Sequence, residues 1–175
     1  MIPDDFQTEN LTLRPFASED GPAVYAYWKS DPGWEKFNES VPSGFTEDDA
    51  EKFVAEMRRR DRADQPNWAL VYDSKVVGVV SLSFEKERVS ASVGYGIHAR
   101  LRGRGLCAEA VEQVLEQAFR GYPELDAVHA LTDAGNSASI RVLKKLGFSE
   151  FADSREGDSS YRLSRADWAA RNQDS

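Results

Sequence analysis

The stretch Ala99–Ala110, A-R-L-R-G-R-G-L-C-A-E-A, constrains this chain more than any other. Before it, Val93-Gly94-Tyr95-Gly96-Ile97 reads as the end of a strand. After it, Val111, Val114, Leu115, Ala118 and Phe119 recur at helical spacing as far as Arg120. A strand therefore runs into a glycine-containing loop, and the loop opens directly into an amphipathic helix. The first turn of a helix has backbone N–H groups without acceptors, and the helix dipole adds positive potential at the same point. Such a point suits phosphate. Gly103 and Gly105 let the backbone come close to a ligand, and Arg100, Arg102 and Arg104 add positive charge. The reading is that a pyrophosphate binds here. Neither a G-x-G-x-x-G fingerprint nor the Lys-Ser/Thr ending of a Walker A loop is present. The competing reading is a plain strand–turn–helix connection with solvated arginines.

The rest of the chain supplies the frame. Leu11–Phe16 alternates and reads as a strand ended near Pro15. Ser18 reads as the N-cap of a helix carrying Val24, Tyr25, Tyr27 and Trp28, stopped by Asp31-Pro32-Gly33. Residues 34–45 mix Trp34, Phe37 and Phe45 with charged residues, which suits either a substrate wall or aromatics packed under a loop. Thr46 begins a capping-box-like T-E-D-D, so a helix is predicted to about Arg60, burying Ala50, Phe53, Val54 and Met57. Trp68–Tyr72, Val76–Phe84 and Val89–Ile97 form a predicted three-strand meander. After the loop helix come a strand at Ala127–Thr132, a helix from Asn136 ended by Gly147, and strands at Phe148–Phe151 and Ser160–Leu163 around a polar turn at Asp153–Asp158. The tail from Ala169 is expected to fray. The result is an α+β chain of about seven strands and four helices around a mainly antiparallel sheet. No repeat or composition break divides residues 1–175, so a single domain is expected.

Composition limits the chemistry. A net charge of -8 disfavours a general nucleic-acid binder and is compatible with a cationic substrate such as an amine. One cysteine, Cys107, excludes an internal disulfide and a cysteine-rich metal site, and two histidines make a histidine metal cluster improbable. No metal is expected. No apolar run approaches the roughly 18 residues of a membrane span. The acidic start Met1-Ile2-Pro3-Asp4-Asp5 lacks a signal-peptide core, so cytoplasmic residence is the expectation.

With these residues in place, the chain resembles the GNAT superfamily of acetyl-CoA-dependent N-acyltransferases, most closely its RimJ/RimL-type branch. The resemblance spans about residues 8–168. The family's loop, Gln/Arg-x-x-Gly-x-Gly/Ala, falls on Arg102-Gly103-Arg104-Gly105-Leu106-Cys107, followed by Glu109-Ala110. A second frame, Arg100-x-x-Gly103-x-Gly105, also fits; the first keeps the usual distances to Gly94-Tyr95-x-Ile97 and to Glu-Ala. Cys107 then stands where Gly or Ala is usual. The segment from Asn136 to Phe148 is similar to the branch's Asn-x-x-Ser…Lys-x-Gly-Phe, with Ser139 at the motif serine and Lys144 expected on the cofactor side.

The resemblance implies a GNAT fold with a splayed strand pair forming the acyl-CoA cleft, lined by Tyr95, Gly96 and Ile97. Backbone N–H groups near Tyr95–Ile97 would meet the thioester oxygen. Asn136 would hydrogen-bond the pantetheine arm as well as cap its helix. Many relatives carry a tyrosine general acid where this chain has Leu143, which makes Ser139 the candidate for protonating the leaving thiolate. The reaction implied is direct attack of a primary amine, on a protein N-terminus or a small molecule, on the thioester. Homodimers are common in this branch.

The base is not selected by the motif. The glutamate often found before the Ile-Gly-Tyr of this strand is Ser92 here. Glu35, Glu39, Glu85 and Asp133 are open alternatives. His98 reads as a surface turn residue and His129 as packed, so a water chain is expected to carry the proton. Cys107 at a helix N-terminus is a rival nucleophile, but no histidine is spaced to activate it. A degenerate domain that binds acyl-CoA as a sensor or scaffold is the alternative to an enzyme.

Overall fold

Apolar residues at a period of two build one sheet. The computed structural model describes residues 2–31, 43–151 and 157–171. Its strands are β1 (Phe6–Gln7), β2 (Thr12–Arg14), β3 (Asn67–Tyr72), β4 (Lys75–Phe84), β5 (Ser90–Ile97), β6 (Ala127–Asp133), β7 (Ser149–Phe151) and β8 (Asp158–Ser164). They lie in the order β1-β2-β3-β4-β5-β6-β8-β7. Neighbours are antiparallel except β5 and β6, which are parallel. The helices are α1 (Gly21–Lys29), α2 (Glu47–Arg59), α3 (Leu106–Gly121), α4 (Ser137–Lys145) and α5 (Arg165–Arg171).

The two faces of the sheet bury different helices. Val80, Leu82, Ala91, Val93, Val128, Tyr161 and Leu163 pack with Val111, Val114 and Leu115 of α3, Leu143 of α4 and Trp168 of α5. On the other face Ala69 and Val76 pack with Val24, Tyr27 and Trp28 of α1 and Ala50, Val54 and Met57 of α2. Phe53, expected in that core, is half-buried and meets Trp28 edge-on at 5.2 Å.

Eight strands and five helices among the described residues exceed the seven and four read from the sequence. The extra strand β1 is held by two register pairs with β2. The extra helix α5 takes in Ala169–Arg171, where fraying was expected; Trp168 stacks on Phe119 at 5.8 Å and Arg171 pairs with Glu112 at 2.6 Å. Ser18 is not the cap of α1. It opens a 3-10 turn, Ser18–Asp20, and α1 starts at Gly21. Asp20 organises that corner, because its carboxylate takes the Ala17 N–H at 2.7 Å and both ends of the Arg14 guanidinium at 2.7 and 2.8 Å. The Thr46 cap holds as read: its hydroxyl accepts from the Asp49 N–H, and the Thr46 N–H donates to the Asp49 carboxylate at 2.9 Å. Trp34, Phe37, Glu35, Glu39 and most of the Asp153–Asp158 turn lie outside the described residues.

Candidate active site

Strand β5 is bound along its whole length to β4, from Ala91 opposite Phe84 to Ile97 opposite Gly78. On its other side it meets β6 at only three positions, Ser90–Ala127, Ala91–Val128 and Ser92–His129. Beyond them the strands part, and the sheet forks. The His98 N–H donates to the Val77 carbonyl at 2.7 Å. Polar groups alternate sides along a strand. The backbone of Gly96 therefore faces β4, and the backbones of Tyr95 and Ile97 face the fork. Gly96 was expected to line the cleft like its neighbours; its carbonyl instead lies so near β4 that a Cβ on Gly78 would stand 2.3 Å from it.

The turn after β5 carries the second part of the site. Gly103 and Gly105 have φ of +75° and +82°, the left-handed region that side chains resist. Gly105 occupies the N-cap of α3 and offers no side-chain acceptor. The first intrahelical bond is Glu109 N–H to the Gly105 carbonyl at 2.9 Å. Among the described residues no acceptor reaches the N–H groups of Gly103, Arg104, Gly105, Leu106, Cys107 or Ala108. That set of amides at the positive end of a 16-residue helix is an anion nest.

The arginines divide their work. Arg102 was expected to face the ligand, but its guanidinium pairs with Asp31 at 2.5 Å and its N–H donates to Ala99 at 3.2 Å. It anchors the turn. The Ser30 hydroxyl, which follows α1, accepts from the Ala99 N–H at 3.0 Å and adds a second anchor. Arg104 makes no ion pair among the described residues. His98 caps the turn, its Nδ1 accepting from the Arg100 N–H at 3.2 Å. Burial first, then Arg100 and Arg102, hold its pKa below the usual histidine value, which keeps that lone pair available. Glu109 ties the turn between β1 and β2 to α3, taking Asn10 N–H at 2.8 Å and the Asn10 side-chain amide at 2.9 Å. Burial opposes its charge, but hydrogen bonds from Thr8 and Asn10 more than offset this and keep its pKa low.

Asn136 caps α4, its Oδ1 accepting from the Ser139 N–H at 3.1 Å. The Ser139 hydroxyl lies 2.9 Å from the Tyr95 hydroxyl, which also donates to the Ser139 carbonyl at 3.3 Å. Burial raises the Tyr95 pKa, with the Ser139 contact acting the other way, so the phenol stays protonated. Sequence reading placed Tyr95 at the cleft but missed this pairing across 44 residues. The available signal was Leu143. It is buried in the core and α4 carries no tyrosine, while Tyr95 reaches Ser139 from the sheet. Lys144 was read as the ligand-side lysine. The structure brings Lys145 to the turn, with Nζ 3.8 Å from where a Gly105 Cβ would stand. Cys107 is half-buried, and burial pushes its thiol up to about 12 despite the nearby Arg102, so it is no activated nucleophile.

A cavity of about 330 Å³ lies at the base of the fork, on the sheet face away from α3. Ser81, Ser83, Ser92, His129, Phe151 and Ser160 line it. Glu85 is taken up by the Ser90 hydroxyl, and Asp133 accepts from the Gly135 N–H at 2.6 Å; neither lines the cavity.

An anion nest beside a forked sheet, with hydroxyls at the fork, fits an acyl-CoA transferase. Residues 10–149 match the acetyltransferase (GNAT) domain, and the chain belongs to that family. It is an N-acetyltransferase that uses acetyl-CoA. An uncharacterised N-acetyltransferase, p20, of Bacillus licheniformis is 27% identical over 146 residues, which is 81% of this chain and 80% of that one. Among solved structures, the RimL ribosomal L7/L12 alpha-N-protein acetyltransferase in complex with coenzyme A superposes with a TM-score of 0.77 at 17% identity, covering 93% and 97% of the two chains. The ribosomal-protein-S5-alanine acetyltransferase of Vibrio fischeri gives 0.76 at 19% identity, covering 94% and 98%. These structural likenesses establish the fold. No helix among the described residues is long and apolar enough to cross a membrane.

Proposed function

We propose that this enzyme transfers an acetyl group from acetyl-CoA to a primary amine, on a protein N-terminus or a small molecule, by direct attack of the amine on the thioester. The observation that carries the reading is the set of unpaired amides from Gly103 to Ala108 at the end of the strand whose other edge opens into the fork. The diphosphate sits on those amides. The pantetheine arm runs along β5 and pairs with the Tyr95 and Ile97 backbones, within reach of Asn136. The thioester then lies in the fork, where holding it against the amine supplies much of the rate. Amides turned into the fork meet the carbonyl oxygen as charge develops.

The hydroxyls of Ser139 and Tyr95 act as one unit. Tyr95, kept protonated by burial, backs the Ser139 hydroxyl, and the pair returns a proton to the leaving thiolate. Ser139→Ala and Tyr95→Phe are each expected to lower kcat about 100-fold, with acetyl-CoA affinity changed less than about twofold. The double variant is expected to lose little more than either one, since residues acting in series are not additive. Steady-state kinetics with calorimetric titration of acetyl-CoA checks this; an unchanged kcat removes the pair from the reaction.

The test of the whole reading is release of free CoA from acetyl-CoA with a panel of peptides and small amines. Turnover with a primary amine is the expected result. Tight acetyl-CoA binding without turnover on any of them would favour a binding role.

A further inference from the structure

We infer that His129 is the general base that takes a proton from the acceptor ammonium, an inference that rests on the transfer reading above. The sequence reads it as a packed strand residue; the structure half-buries it against Phe151 and also places it in the wall of the cavity. His129 is the last β6 residue paired with β5, opposite Ser92, so it stands at the apex of the fork. The cavity straddles that apex, because its wall includes Val93 and Gly94 on one branch and Ala130 and Leu131 on the other. A thioester running down the fork arrives at this point.

The chemistry of the wall singles the residue out. Its polar side chains are the hydroxyls of Ser81, Ser83, Ser92 and Ser160 and one imidazole. No carboxylate lines it among the described residues. Serine cannot accept a proton from an ammonium unaided, whereas the free ring nitrogen of a neutral imidazole can. Phe151 meets the ring edge-on at 5.7 Å. The strands on either side of β6 contribute Ser92 from β5 and Arg162 from β8, the latter in register with His129. The Arg162 guanidinium is held by Asp126 at 3.1 Å. Among the described residues, Ser83 of β4 and Phe151 of β7 also line the cavity and carry no charge.

The protons balance as follows. The acceptor enters as an ammonium and gives one proton to His129. The freed lone pair forms the C–N bond, the C–S bond breaks, and its electron pair goes to sulfur. A second proton leaves the nitrogen as the amide forms, and one proton reaches the thiolate through Ser139 and Tyr95. His129 passes its proton to water, so one proton is released per turnover.

The test compares wild type with His129→Gln and His129→Ala, following CoA release at about pH 7. The acceptors are the fastest amine of the panel, ethylamine, which is mostly ammonium there, and trifluoroethylamine, which is mostly neutral. Both variants are expected to lose about 100-fold in kcat/KM with the ammonium acceptors, and less than about threefold with trifluoroethylamine. The deficit is expected to close as pH rises and the acceptor deprotonates in solution. Acetyl-CoA affinity should stay unchanged. Histidine-selective NMR reads the same site without turnover, since the chain has two histidines; the acceptor should shift the His129 resonance and leave that of His98. Equal losses with both kinds of amine, or variants that match wild type, overturn the assignment. Absence of CoA release by the wild type with every amine overturns the transfer reading itself.

Discussion

Gly105→Val is expected to lower acetyl-CoA affinity about 1000-fold, while far-UV circular dichroism and the unfolding temperature stay close to wild type. At φ +82° a β-branched residue is strained, by roughly 1–3 kcal/mol. The cheapest relief is to rotate the turn, because the position caps α3 without a side-chain bond to hold it. Rotation swings the amides of Gly105, Leu106 and Cys107 away from a common centre. Hydrogen bonds to charged groups contribute about 1.5–3 kcal/mol each, so losing two of them costs about 4 kcal/mol, or three orders of magnitude in affinity. A calorimetric titration with unchanged affinity would show that the diphosphate binds elsewhere.

Asp20→Ala is expected to cost about 3 kcal/mol of folding stability at neutral pH, read from urea unfolding. Asp20 is 5% exposed, and removing it strands the Ala17 N–H and leaves the Arg14 guanidinium only the Pro15 carbonyl, at 2.9 Å. Breaking such a pair typically costs 3–5 kcal/mol; the lower end applies because the Arg14 side chain is 33% exposed. The effect depends on pH. Burial works against the charged carboxylate, but Arg14 and the Ala17 N–H outweigh it and hold the Asp20 pKa below its ordinary value. A depressed pKa stabilises the fold above the unfolded value of about 4 and stops doing so as pH falls through the folded one. The gap between wild type and Asp20→Ala is therefore expected to narrow below about pH 4. A gap that stayed constant there would assign the loss to packing alone.

Much of the frame was legible because it is local. The meander of β3, β4 and β5, the Thr46 cap, the Asn136 cap and the glycine turn before α3 all depend on residues within a few positions of each other. What escaped the sequence depends on distant partners. Strand β1 exists because Phe6 meets Leu13 and packs edge-on against Trp68 at 5.7 Å. Helix α5 exists because Arg165 reaches carbonyls of Leu125, Phe119 and Tyr122. In the site, the identity of the turn was readable and the direction of its side chains was not. Arg102 turns to Asp31, Lys145 rather than Lys144 approaches the turn, and Tyr95 finds Ser139. His129 carries no motif, and only the fork gives it a cavity to face.

The fork also acts as a length gauge. From its apex at Ser92 to the end of β5 at Ile97 is five steps, or about 17 Å at the rise of an extended chain. On the proposed reading, the turn that would hold the anionic end of a donor and the cavity where the amine would react are thus set apart by the strand itself. A thioester whose tail is much shorter than that span can occupy one end or the other but not both. On that reading, selection among donors would be made by reach, before any group at the reacting centre takes part.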